Sequence, residues 1–130
     1  MSIVVTGATG HLGRLVVESL LERGVEGIVA TGRAVERLGD LAERGVRVER
    51  LDFDAVPESV DWLGAGDVLL LVSGSEPGIR VPQHQAVLDL AVRSGVGRLV
   101  YTSAPAADDT DLVLAPEHAA TERLIRASGL

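Results

Sequence analysis

An apolar run, Ile3-Val4-Val5, breaks into three glycines spaced three apart in Thr6-Gly7-Ala8-Thr9-Gly10-His11-Leu12-Gly13, and the glycines lead into Leu15, Val16 and Leu20 at helical spacing. No other feature narrows the fold as much. A strand that leaves through a glycine loop straight into a helix aims backbone N–H groups and the helix dipole at one point, and that point favours a phosphate. Gly7 permits the tight turn, Gly10 lets a pyrophosphate approach the backbone, and Gly13 lets the helix lie close on the sheet. A glycine triplet alone also fits a turn that binds nothing, and it is the strand before and the helix after that select the phosphate reading.

The rest of the chain repeats that unit. Short β-branched or Leu-rich runs at 2–6, 27–31, 46–51, 68–72 and 98–102 predict strands buried on both faces. Between them lie helical patterns. The first ends at Gly24, and the second is marked by Leu38 and Leu41 and stops at Gly45. One or two turns are predicted over 57–63, opened by Pro57. A helix opened by Pro82 carries His84, Val87, Leu88 and Ala91 on one stripe, and a last helix over 117–128 points Ala120, Leu124 and Ile125 inward. Alternating strands and helices predict right-handed βαβ units in an α/β Rossmann-type doubly wound parallel sheet, five strands in order 3-2-1-4-5 with helices on both faces. The ligand crevice is then expected at the carboxyl ends of strands one and four. Residues 104–114 form the one polar loop long enough for a lid.

Composition removes several functions. With 12 arginines against 19 acidic residues the net charge is −7, and Phe53, Trp62 and Tyr101 are the only aromatic residues, so no nucleic-acid surface is expected. There is no cysteine, which excludes disulfides and thiolate chemistry, and the three scattered histidines give no metal-site spacing. The apolar runs are too short to cross a bilayer, and the chain enters a strand pattern at once, so a cytoplasmic protein is expected. The sequence has no lysine. It can carry neither a P-loop lysine nor a Tyr-Lys proton relay.

The end of the second strand selects between dinucleotides. A carboxylate there would bind the ribose hydroxyls of NAD, but the sequence reads Ala30-Thr31-Gly32-Arg33. A guanidinium pairs with a 2′-phosphate, so Arg33 favours NADP(H), with NAD(H) still possible.

These segments, read in order, carry a resemblance that covers the whole chain. TGATGHLG, TGR, RLDFDA, LLLVSGSEPGIRVPQH, LVYTSA and PEHAATERLIRASG resemble the NmrA-like branch of the atypical short-chain dehydrogenases, and within it the NAD(P)H:quinone oxidoreductase type 2 subgroup. The resemblance implies that Gly7, Ala8, Thr9, Gly10, His11, Leu12 and Gly13 seat the pyrophosphate and Arg33 the 2′-phosphate. It further implies that Asp52 and Phe53 flank adenine and that Ser73, Gly74 and Ser75 line the path from the ribose to nicotinamide. Ser103 and His118 are the candidate catalytic residues, as a substrate-binding hydroxyl and a proton donor; an ordinary loop serine and a polar first-turn residue are the competing readings. His84 is expected to pack or cap at its own helix.

Where relatives with a Tyr-Lys relay keep that pair, this sequence has His118 and Glu122. Members of the branch continue into a sixth strand and a carboxy-terminal substrate region, so residues 1–130 are expected to form the NAD(P)-binding domain alone, with an open edge at the fifth strand suited to self-association or a completing chain. Three functions stay open: NADPH-dependent reduction of a quinone-like small molecule, sensing of cofactor redox state without turnover, and an inactive fragment.

Overall fold

The computed structural model describes every residue except 75–77, 105, 108 and 110–112. Five strands, β1 (Ile3–Val5), β2 (Ile28–Gly32), β3 (Arg47–Arg50), β4 (Val68–Leu71) and β5 (Arg98–Tyr101), form one sheet in the order β3-β2-β1-β4-β5. Every pairing is parallel, with Val4 opposite Val29 on one side and Leu69 on the other. The helices are α1 (His11–Glu22), α2 (Gly39–Glu43), α3 (Arg80–Ser94) and α4 (Ala115–Ser128), with a 3₁₀ turn at Val35–Leu38 before α2. This is the order and doubly wound arrangement expected from the sequence.

Alternate residues of the central strands enter two separate cores, as the period of two requires. Val4, Leu69 and Leu71 join Val87, Leu90 and Ala91 of α3, with Trp62 and Leu63. Val5, Ile28 and Ala30 face the other way, onto Val17 of α1 and Leu41 of α2. Because α1 and α3 go to opposite faces from neighbouring strands, the chain divides between β1 and β4, and a crevice opens at their carboxyl ends. Thr6 spans that division. Its buried hydroxyl donates to the Leu70 carbonyl at 3.1 Å and accepts the Val72 amide at 2.9 Å, so the last residues of β1 and β4 are held in register.

Three local expectations are corrected. Residues 57–63 form bends and no helix. Val60, Trp62 and Leu63 all pack on the core, a spacing that one helical face cannot supply, and the Arg93 guanidinium takes the Pro57 and Glu58 carbonyls at 3.3 and 2.9 Å. Helix α3 starts at Arg80, so Pro82 lies within its first turn, where a missing N–H costs no intrahelical bond. Helix α4 buries Ala115, His118, Ala119 and Thr121, whereas Ala120, Leu124 and Ile125 are only partly covered. The inward face of α4 is polar because it meets polar partners on α3 and β5. Of the proposed lid at 104–114, residues 105, 108 and 110–112 lie outside the described residues.

The glycine loop is tightest at Gly13. A Cβ there would run into the Gly7 carbonyl group, 2.7 Å from its carbon, and 3.0 Å from Ala8 Cα. Backbone cannot step aside as a side-chain tip can, so Gly13→Ala is expected to cost about 3 kcal/mol or more. Gly39 has open space around it at the start of α2, so Gly39→Ala is expected to change stability by under about 1 kcal/mol, in the stabilising direction. Urea denaturation of the two variants checks the contrast; equal midpoints would refute the close approach.

Candidate nucleotide-binding cleft

A cleft of about 430 Å³ opens at the carboxyl ends of the strands. Its floor is the glycine loop. The loop is fixed from below: Thr31 Oγ1 donates to the Val5 carbonyl at 3.2 Å, the Ala8 amide donates to the Thr31 carbonyl at 2.9 Å, and the Gly10 amide closes a turn on the Gly7 carbonyl at 3.0 Å. Gly7 takes φ +63°, a left-handed value that a residue with a side chain adopts only under strain. Gly10 then caps α1 with no side chain folded over the helix start, and the first turn holds no acidic residue. The amides of that turn, which no helical carbonyl can satisfy, face the cleft with the positive end of the dipole behind them.

Gly7, Thr9, Gly10, His11, Leu12 and Gly13 line the cleft together with Arg33, Asp52, Phe53, Ser73 and Gly74. Ala8 differs from its neighbours. Its side chain is fully buried and its N–H is committed to Thr31, so it serves the loop's shape. Ser75 lies outside the described residues. Arg33 stands at the exposed rim just past β2, and Arg37, one helical turn later, lines the same wall. Neither guanidinium forms an ion pair with a described residue. The apolar part of the lining comes from Leu51, Phe53 and Val72. The arrangement therefore offers free amides for a pyrophosphate, two cations at the rim for a further anionic group, and an apolar slot for a planar ring.

Beyond Gly32, Leu51 and Val72, two polar side chains of the cleft were not anticipated. Arg37 could have been noticed from its spacing of four from Arg33. Gln83 could not, because its role is set by the fold: its amide donates to Asp54 at 3.0 Å, bridging α3 to the loop after β3, and its Oε1 would lie 2.9 Å from a Cβ on Gly74. Asp52 accepts the Asp54 amide at 2.9 Å, which shapes that loop.

The two candidate catalytic residues stand apart from these walls. Ser103, after β5, donates to Glu122 at 3.1 Å and is exposed. His118, in the first turn of α4, is buried, with Nδ1 2.6 Å from the Tyr101 hydroxyl. His84 packs as expected and does more: it is 1% exposed, and its ring joins the cleft to α4. Among the described residues no group of three or more His, Asp or Glu is placed to hold a metal, and no helix is long and apolar enough to cross a membrane.

Burial pushes the His84 pKa down from 6.5 to about 4, with the charges of His118 and Arg80 acting in the same direction. His118 is lowered too, by burial and then by Arg80. A histidine kept neutral by the fold binds fewer protons than in the unfolded chain, so its contribution to stability is present above 6.5 and is lost as pH falls from there toward about 4. His84→Gln can keep an acceptor and a donor while removing the titration. Denaturation midpoints measured from pH 7 to pH 4.5 are expected to fall less steeply for His84→Gln than for the parent chain; parallel slopes would refute the assignment.

Comparison with known proteins agrees with this geometry. Residues 7–130 match a family described as NAD(P)H-binding. The chain is 40% identical to quinone oxidoreductase 2 of Escherichia coli K12 over 129 residues, which is 98% of this chain and 45% of that protein. The crystal structure of the NADPH-dependent quinone oxidoreductase QOR2 of Escherichia coli with NADPH superposes at a TM-score of 0.89 over 98% of this chain and 46% of that one. Triphenylmethane reductase from a Citrobacter species, complexed with NADP(H), gives 34% identity and a TM-score of 0.89 over 99% of this chain and 46% of that one. The chain thus spans somewhat under half the length of these relatives.

Proposed function

We propose, from the premise that this chain belongs to the NAD(P)H-binding family, that it is the NADP(H)-binding domain of an oxidoreductase that reduces quinone-like acceptors. The observation that carries the reading is two arginines, free of ion pairs among the described residues, at the rim of a cleft whose floor is an uncapped helix start. In this reading the amides of His11 to Gly13 receive the pyrophosphate, while Arg33 and Arg37 receive the 2′-phosphate. Asp52 and Phe53 border the adenine, and Ser73 and Gly74 border the ribose and the approach to nicotinamide. Bound NADPH would supply a hydride. The protein's part is to hold donor and acceptor face to face more than to supply a strong acid, because a quinone oxygen can take its proton from water. His118 is the candidate hydrogen-bond donor at the acceptor end, and Ser103 a candidate substrate-binding hydroxyl.

The relatives named in the comparison support a quinone or dye as the acceptor class, since one is described as a quinone oxidoreductase and another as a triphenylmethane reductase. Among the described residues β5 pairs only with β4, and Val100 is 44% exposed on it, so this edge is the place for a further strand from the same or a second chain. Acceptor turnover is the property most dependent on such completion. Sensing of NADP redox state without turnover is the alternative if binding proves strong and no acceptor is reduced.

Calorimetric titration with NADPH and NADH is the direct test. NADPH is expected to bind more tightly than NADH. Arg33→Ala should weaken NADPH by about 10- to 100-fold, the worth of one charge-assisted contact, and leave NADH little changed. Gly10→Val should abolish binding of both by filling the approach to the helix start. Equal affinity for the two dinucleotides, or an Arg33→Ala chain that binds NADPH normally, would overturn the 2′-phosphate assignment.

A further inference from the structure

Helix α3 is joined to the loop after β3 by one side-chain contact, and that contact fixes which way the side chain faces. Gln83 Nε2 donates to Asp54 Oδ1 at 3.0 Å. A carboxylate accepts and an amide oxygen cannot donate, so the NH₂ end of Gln83 faces Asp54 and the carbonyl end is turned away. Oε1 stands beside Gly74, 2.9 Å from where a Cβ on that residue would lie. The neighbouring main-chain donors are committed elsewhere: the Gly74 amide donates to His84 Nε2 at 3.0 Å and the Ser73 amide to Thr102 Oγ1 at 2.8 Å. No described residue donates to Oε1, although Gln83 lines the cleft with Asp52, Phe53, Ser73 and Gly74. Asp54 is itself held, since its amide donates to Asp52 Oδ1 at 2.9 Å and the Ala55 amide closes a turn on the Asp52 carbonyl at 3.0 Å.

We propose that Gln83 selects the base of the dinucleotide: its Oε1 accepts a hydrogen bond from the exocyclic amino group of adenine, and Asp54 is the positioning residue that holds the amide in that sense. The proposal rests on the NADP(H) reading given above and adds how the purine is told apart. The lining supplies both parts of a purine site, apolar surface for the ring from Leu51, Phe53 and Val72 and an acceptor for its edge from Gln83. Arg33 and Arg37 line the same cleft, and the 2′-phosphate assigned to them sits on the ribose that carries the adenine. A base with a carbonyl in place of the amino group sets two acceptors face to face. To answer it the amide has to turn over, and its own carbonyl then meets the Asp54 carboxylate. Discrimination therefore comes from the pair and not from Gln83 alone.

The probe is the NADPH analogue in which hypoxanthine replaces adenine, so that a carbonyl stands where the amino group was. In calorimetric titrations at neutral pH the parent chain is expected to bind NADPH about 10- to 100-fold more tightly than the analogue. Gln83→Leu should bring the two affinities together, mainly by weakening NADPH. Asp54→Ala should also narrow the ratio, but by strengthening the analogue, because a freed amide can turn its NH₂ to the carbonyl. Circular dichroism establishes that each variant is folded before it is titrated. A bridge that only supports the fold would weaken both dinucleotides alike and leave the ratio unchanged in both variants, which overturns the proposal. So does a parent chain that binds the two equally, or a Gln83→Leu chain that keeps the full preference, the result expected if the Asp52 carboxylate alone meets the amino group. These outcomes leave NADP(H) binding itself standing, whereas a folded parent chain that binds neither dinucleotide overturns the cofactor reading and this proposal together.

Discussion

The close approach of helix α1 to the carbonyl of Gly7 is the constraint on which the rest of this molecule depends. Because Gly13 has no Cβ to collide with that carbonyl, the helix can start directly above the end of β1, and its unsatisfied amides gather over the division between β1 and β4. Thr6 makes the floor of that division rigid, since one hydroxyl serves as donor to β4 and acceptor from the residue that follows it. Sheet order alone would open a crevice. The glycine contact and the threonine give the crevice a defined depth and a polarity suited to phosphate.

The same local economy explains why this part of the structure was legible in the sequence. Three glycines after an apolar run specify a turn, a helix start and a close contact within ten residues, and the order of short apolar runs and helical stripes specifies the doubly wound sheet. What could not be read depends on residues far apart in the chain. Residues 57–63 have a proline and apolar residues suited to a helix, but Arg93, more than thirty residues later, takes their carbonyls. The inward face of α4 was assigned to Ala120, Leu124 and Ile125 because apolar residues usually turn inward. The fold turns His118 and Thr121 inward because His84 and Tyr101 wait on the facing elements. Gln83 and Asp54 meet only once α3 is laid beside the loop after β3. Arg37 was within reach of spacing arguments, since it recurs one turn after Arg33.

The two ends of the cleft are therefore built differently. At the phosphate end, main-chain groups and glycines do most of the work, and the elements involved lie within the first forty residues. A structure of that kind tolerates loss of distant parts. At the other end, the Gly74 loop is held by His84 of α3 and by Thr102 just after β5, and His84 in turn by Thr121 of α4, side chains that have no local relation to one another. That end lies toward the edge strand β5.

The polar interface between α3, α4 and β5 is costly as a means of joining helices. Two buried histidines, a threonine and a largely covered arginine give up hydration that leucine side chains would not have had to give up, and apolar packing of equal volume would hold α4 at least as firmly. The hydrogen bonds offset the cost only while every donor meets an acceptor, which makes the arrangement intolerant of a flipped ring or an added proton. An interface of leucines has no such direction. Here the direction begins at the Gly74 amide, which donates to His84, and passes from His84 to Thr121, so a displacement of Gly74 when a ligand enters the cleft must be felt at α4. A directed link from the Gly74 loop to α4 is a gain that apolar packing cannot supply, and it accounts for polar residues where a helix pair would otherwise be joined by hydrophobic contact.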